Sequence, residues 1–294
     1  MNRQFCHLPR LTGNVRQDGF TLVELIMVIV LMGILAASFM MFFKPTIDGY
    51  FDARRRADLS DIADTALRRM MQDVKSAVPN SINLISNQCF QLVPSIGGGR
   101  YRTDLDGVND VNPPCVPSAT CSAFPDAAAA ASATTTFDAL VLQGTVPVQN
   151  DFVVINNQNR DDVYGATPVS RFTVTASPTT PRITDGTQRI VIGGNPAASG
   201  YAQGRFQVVS QNVPSMMYSC SGGRLYRKIL TTSKESACAA NGDVLATDVA
   251  SCSFVYTSNP SATQASGFVT LNLTLSRNNE PVTLSYGVHV DNQP

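Results

Sequence analysis

The sequence predicts an α+β protein: one long N-terminal helix, its first half apolar enough for a membrane and its second half amphipathic, packed on a mainly antiparallel β-sheet head. Three observations predict this. The stretch GFTLVELIMVIVLMGILAASFMMFF, from Gly19 to Phe43, carries a single charged side chain, Glu24. After it, apolar residues recur every three or four positions as far as Val78, which is helical spacing. From Ser81 onward the chain breaks into short runs that alternate apolar and polar residues between clusters of Gly, Pro, Asn and Ser, which reads as strands and turns.

The composition bounds the function. The 294 residues carry 22 basic against 22 acidic side chains, so no net field attracts nucleic acid, which is excluded as a partner class. Seven cysteines are present. Cys6 precedes the apolar run, while Cys89, Cys115, Cys121, Cys220, Cys238 and Cys252 follow it. No two are separated by two residues, as zinc sites commonly require, and disulfides are expected if that part is exported.

Residues 1–19 form a short basic leader, with Arg3, Arg10 and Arg16 against Asp18. Positive flanks stay in the cytoplasm, so the leader is expected inside and everything beyond Phe43 outside the inner membrane. Residues 20–43 are long enough to span a bilayer, which needs about 20. A secretory signal cleaved near Ala36-Ala37-Ser38 is the competing reading, but apolar residues continue through Phe43. An ionised acid in hydrocarbon costs roughly 2.5–3.5 kcal/mol, so Glu24 is expected to be partnered or functional.

Residues 44–79 continue the helix. Ile47, Tyr50 and Phe51, then Leu59, Ile62, Ala63, Ala66, Leu67, Met70, Val74, Ala77 and Val78, form the stripe expected to be buried. Pro45 is expected to kink or loosen the helix and Pro79 to end it. A helix from Phe20 to Val78 would be on the order of 90 Å long. Arg54-Arg55-Arg56 reads as a solvated or inter-subunit face, because Asp58 and Asp61 follow closely.

Residues 80–294 are expected to form the head. Strands are predicted at 137–143, 151–156, 171–176, 188–193, 205–210, 251–256 and on both sides of Gly222-Gly223. A C-terminal hairpin is expected to turn at Asn278-Asn279-Glu280. Gly97-Gly98-Gly99 reads as a turn. The segment at about 113–136 reads as a loop-like insertion stapled by Cys115 and Cys121. Cys220 flanks the same strand as Cys238, which suggests that pair and leaves Cys89 for Cys252.

Asp104, Asp106, Asn109 and Asp110 are weak calcium candidates, since hard oxygen ligands cluster there without EF-hand spacing; no other metal and no cofactor is expected. No catalytic residue is assigned. Of the two histidines His7 lies in the leader and His289 on the polar parity of a strand, and nucleophile-elbow, zincin and phosphate-loop motifs are not found. The chain is not expected to be an enzyme.

Gly19-Phe20-Thr21-Leu22-Val23-Glu24 resembles the GFTLxE signature of type IV prepilins and type II secretion pseudopilins. That resemblance implies cleavage by a prepilin peptidase between Gly19 and Phe20, N-methylation of Phe20, and a role for Glu24 in setting subunit register against the new amine. It also implies other pilin subunits and an inner-membrane assembly platform as partners. Residues 57–81, Gly98 to Arg102, Met217 to Cys220, Leu225 to Arg227 and the closing HVDNQP are similar to minor prepilins of mannose-sensitive haemagglutinin pili, and less specifically to J-type pseudopilins and W-type minor pilins. A membrane-anchored periplasmic binding protein or enzyme is the alternative from another class.

Overall fold

The computed structural model describes residues 19–101, 136–177, 188–193, 204–258 and 266–293. The chain divides into two compact units, Met1–Arg54 and Arg55–Pro294. Helix α1, Leu22–Lys75, supplies residues to both.

In the first unit α1 contains an 18-residue window of mean hydropathy 2.7, none of it buried. The helix runs unbroken through Pro45, where the sequence predicts a kink or loosening. Proline removes one backbone donor there. Beside it the Thr46 hydroxyl donates to the Phe42 carbonyl at 3.2 Å. Ile47, Tyr50 and Phe51, expected in the buried stripe, are exposed.

In the second unit α1 buries Leu59, Ala63, Ala66, Leu67, Met70 and Val74, the three-and-four spacing of one helical face. It stops at Lys75, short of Val78. Ala77 instead bridges to Pro94, and the Val78 N–H donates to the Val93 carbonyl at 2.8 Å, so pairing with the sheet replaces another helical turn.

The strands follow in order: β1 (Asn83–Ser86), β2 (Cys89–Leu92), β3 (Gly97–Tyr101), β4 (Thr136–Gly144), β5 (Phe152–Ile155), β6 (Arg171–Ala176) and β7 (Gln188–Gly193). After them come β8 (Arg205–Val209), β9 (Ser215–Ser221), β10 (Arg224–Leu230), β11 (Asp243–Ala246), β12 (Val249–Ser258), β13 (Ser266–Arg277) and β14 (Glu280–Asp291). All pairings are antiparallel. One sheet has the order β1-β2-β9-β10-β11 and a second β12-β13-β14, while β3-β4-β7-β6-β5-β8 close into a barrel. The barrel is therefore inserted in the chain between two neighbouring strands, β2 and β9.

Two cores result. Leu59, Leu67 and Met70 of α1 pack with Phe90 and Tyr218 of one sheet and with Phe254, Leu271 and Leu273 of the other. The barrel encloses its own core, with Phe137, Val153, Phe172, Ile190 and Phe206 in it. Leu67 is fully buried, so Leu67→Ala is expected to destabilise the second unit by about 2–5 kcal/mol, read as a lower thermal midpoint.

Gly97 to Gly99 lie in β3 rather than in a turn. A Cβ on Gly99 would collide with the Val141 carbonyl of the neighbouring strand, so that close approach requires glycine. The expected hairpin forms, but its turn is Asn278-Asn279 alone: Glu280 already pairs with Arg277, and both turn residues have positive φ, 54° and 63°, which the two-residue turn needs.

The expected cysteine pairing is corrected. Cys89 joins Cys238 and Cys220 joins Cys252, with Cα separations of 5.8 and 6.5 Å. The turn between β1 and β2 decides this. The Gln88 carbonyl accepts from Cys220 N–H and the Asn87 carbonyl from Phe254 N–H, which brings β9 and β12 together around it. Cys115 and Cys121 lie outside the described residues, as do Asp104, Asp106, Asn109, Asp110 and the insertion up to β4.

Three surface carboxylates are held below their usual range. The Arg68 guanidinium, then the Tyr286 hydroxyl, hydrogen-bond Asp64; the Lys234 ammonium acts on Asp161; the Arg277 guanidinium acts on Asp248. A carboxyl whose folded pKa is depressed stabilises fully above its unfolded value, near 4, and loses that contribution as pH falls through the folded value. The thermal midpoint is therefore expected to drop as pH is lowered below about 4, and less steeply in Asp248→Asn. Exposure keeps each effect small.

Candidate functional site: the N-terminal processing motif

Residues Gly19, Phe20 and Thr21 precede α1 in non-helical conformation. Thr21 is the helix N-cap. Its Oγ1 accepts from the Glu24 N–H at 3.3 Å, and its carbonyl accepts from the Leu25 N–H at 3.1 Å. Thr-x-x-Glu is the spacing of a capping box, and the acid at the third helical position also sits where the helix dipole favours negative charge. The same four residues that open the helix thus place Glu24 one turn from the Gly19–Phe20 bond.

That bond is open to an enzyme. Phe20 is 81% exposed, and a Cβ added at Gly19 would meet nothing within 4 Å. Nor does Gly19 hold a positive φ. Among the described residues neither packing nor a positive φ requires glycine there.

The remaining predicted residues are dispersed. Cys89, Cys220, Cys238 and Cys252 form two disulfides among the described residues. His289 is exposed on β14 and lies edge-on to the Phe268 ring, with centroids 4.9 Å apart. Among the described residues no group of three or more His, Cys, Asp or Glu is placed to hold a metal. Two open clefts of about 660 and 730 Å³ indent the second unit; the larger sets Lys75, Arg100 and Arg205 against Asp291.

One cluster escapes the sequence reading. Asp73 is 8% exposed, accepts from Arg227 Nε at 3.1 Å and from the Tyr218 hydroxyl, and pairs with Arg69 at 3.5 Å. Burial foremost, and then the hydrogen bond to Asp73, pushes the Tyr218 phenol above its ordinary value. The available signal was spacing: Asp73 lies three residues after Met70 and seven after Ala66, on the buried face of α1.

A long N-terminal apolar helix followed by antiparallel β-sheets defines an α+β, type IV pilin-like fold. The family model for the prokaryotic N-terminal methylation motif matches residues 14–40, so the chain carries that processing signature at the site described. No curated protein and no solved structure matches the chain.

Proposed function

We propose that this chain is a minor type IV pilin-like subunit of the mannose-sensitive haemagglutinin type, resembling its O-type minor prepilin, cleaved after Gly19 by a prepilin peptidase and then inserted into, or priming, a pilus. The exposed Gly19–Phe20 bond immediately ahead of a capped apolar helix carries this reading. Cleavage leaves a cationic amine on Phe20, one turn from the Glu24 carboxylate. In an apolar filament core each of those charges needs an opposite partner. The amine of a subunit already in the filament supplies one for the Glu24 of the next, which fixes axial register. The protein has no catalytic role in this scheme. It enters the inner membrane by one pass with the leader cytoplasmic and the head periplasmic.

The mature protein is expected to begin at N-methylphenylalanine 20, checked by N-terminal sequencing and intact mass. A chain that retains Met1, or one that starts near Ser38, overturns the proposal. A deletion strain is expected to lose pili and keep type II protein secretion. The opposite result reassigns the chain to the pseudopilins.

A further inference from the structure

The barrel sets two cations against each other. Wherever else two charged residues face across a rung among the described strands, their signs are opposite: Asp138 with Arg189, Arg227 with Asp243, and Arg277 with Glu280. On β3 and β8, however, Arg100 faces Arg205. Like charges directly opposite each other destabilise a sheet. Their Cβ atoms stand about 4.5–5.5 Å apart in such a pair, so one small anion can reach both guanidinium groups.

Neither arginine is neutralised. Their chain neighbours Tyr101 and Phe206 are buried in the barrel core, so Arg100 and Arg205 face outward. Among the described residues no carboxylate pairs with either, and Arg205 donates from Nη1 only to the neutral Gln293 amide oxygen, at 3.1 Å. Arg100 is exposed and makes no hydrogen bond or ion pair among the described residues that would give it a structural reason to be there.

Both arginines line the cleft of about 730 Å³, together with Lys75 and a single acid, Asp291. Asp291 does not offset them: its Oδ1 accepts from the Gln293 N–H at 3.0 Å, and it pairs with none of the three cations. Lys75 has a second reason for its place, since a cation in the last turn of α1 complements the helix dipole. The arginine pair has no such reason. Gly97 to Gly99, the three residues before Arg100 on β3, add no side chain to the cleft, which keeps the approach to the guanidinium open.

This arrangement selects the ligand. Two guanidinium forks on one rung match an oxyanion of more than one charge, and the Lys75 ammonium adds a point charge from a helix rather than from the sheet. A planar carboxylate offers its oxygens in one plane, whereas a tetrahedral phosphoryl group offers them to donors arriving from several directions. A nucleic-acid strand needs a basic stripe to follow, and the chain carries 22 basic against 22 acidic residues. We infer that this cleft binds the phosphoryl group of a small phosphate ester or of a phospholipid headgroup. The bound dianion supplies the counter-charge that the Arg100–Arg205 rung lacks. The inference goes beyond filament assembly and rests on the second unit alone.

The test uses the full chain in non-ionic detergent micelles at fixed ionic strength, titrated with inorganic pyrophosphate in one arm and with phosphatidylglycerol doped into the micelles in the other. Saturable binding is expected by calorimetry, with the thermal midpoint of the head raised by about 5 °C or more at a ligand concentration 100-fold above Kd. Response to pyrophosphate assigns a free phosphate ester, and response to the lipid alone a headgroup. Arg100→Gln and Arg205→Gln are each expected to weaken binding by about tenfold or more, while Arg224→Gln leaves it unchanged. Without ligand, Arg100→Gln is expected to melt no lower than the parent, because it removes a repulsion. Silence in both arms overturns the inference. So does binding of citrate as tight as that of the phosphate probes, or binding undiminished in both arginine variants. A lower midpoint of Arg100→Gln without ligand also overturns it, since the arginine pair is then structural.

Discussion

Replacing Glu24 by alanine is expected to leave cleavage after Gly19 intact and to lower incorporation into pili by on the order of tenfold or more. On the proposed function the peptidase meets Gly19 and Phe20, which the substitution does not touch. Assembly meets the charge. Without the carboxylate the Phe20 amine of the preceding subunit enters an apolar core with no anion opposite it, and a penalty of roughly 2.5–3.5 kcal/mol corresponds to about two decades in an equilibrium. Glu24→Gln separates charge from helix capping, because the Thr21 cap accepts from a backbone N–H that either residue supplies. The amide variant is expected to fail as alanine does, measured by immunoblot of sheared pili against total processed protein. Normal piliation in Glu24→Gln would remove the electrostatic register argument while leaving the processing site standing.

Asp73→Ala is expected to destabilise the second unit by about 3–5 kcal/mol, the cost typical of breaking a buried ion pair from one side. The side chains of Asp73 and Arg227 are 11% and 14% exposed, and the Tyr218 hydroxyl donates to the same carboxylate. Alanine leaves a guanidinium and a phenol facing a small void with no acceptor between them. Arg69→Ala is the control. Its side chain is half exposed, so losing it is expected to cost under about 1 kcal/mol although it pairs with the same carboxylate. For a unit of this size the Asp73 variant should melt at least about 6 °C lower, and the Arg69 variant within a few degrees of the parent. Equal shifts would show that the network acts as solvated surface charge.

These two sites were unequally readable. Glu24 stands alone among apolar residues, so its cost is visible in one dimension, and Thr21 three residues earlier marks the cap. Asp73 stands among Arg68, Arg69 and Lys75 and resembles any helical surface acid. Its burial depends on Tyr218 and Arg227, which follow it by 145 and 154 residues.

The same division runs through the fold. Alternation by itself determined β13 and β14 and their hairpin, because twelve-residue strands with one buried face repeat the signal many times over. The unbroken apolar run of residues 25–43 determined the first half of α1, and residue identity at 19–24 the processing motif at its head. Strands β1, β2 and β11 have four residues each with at most one β-branched side chain, whereas β5 and β8, as short, show runs of Val and Ile; β3 hides behind glycines that only its neighbour's carbonyl explains. Tertiary structure decided the closure of six strands into a barrel between β2 and β9, and it decided the exchange of cysteine partners. Both follow from contacts across long stretches of chain, and local residue preference holds no record of which distant segment arrives to complete them.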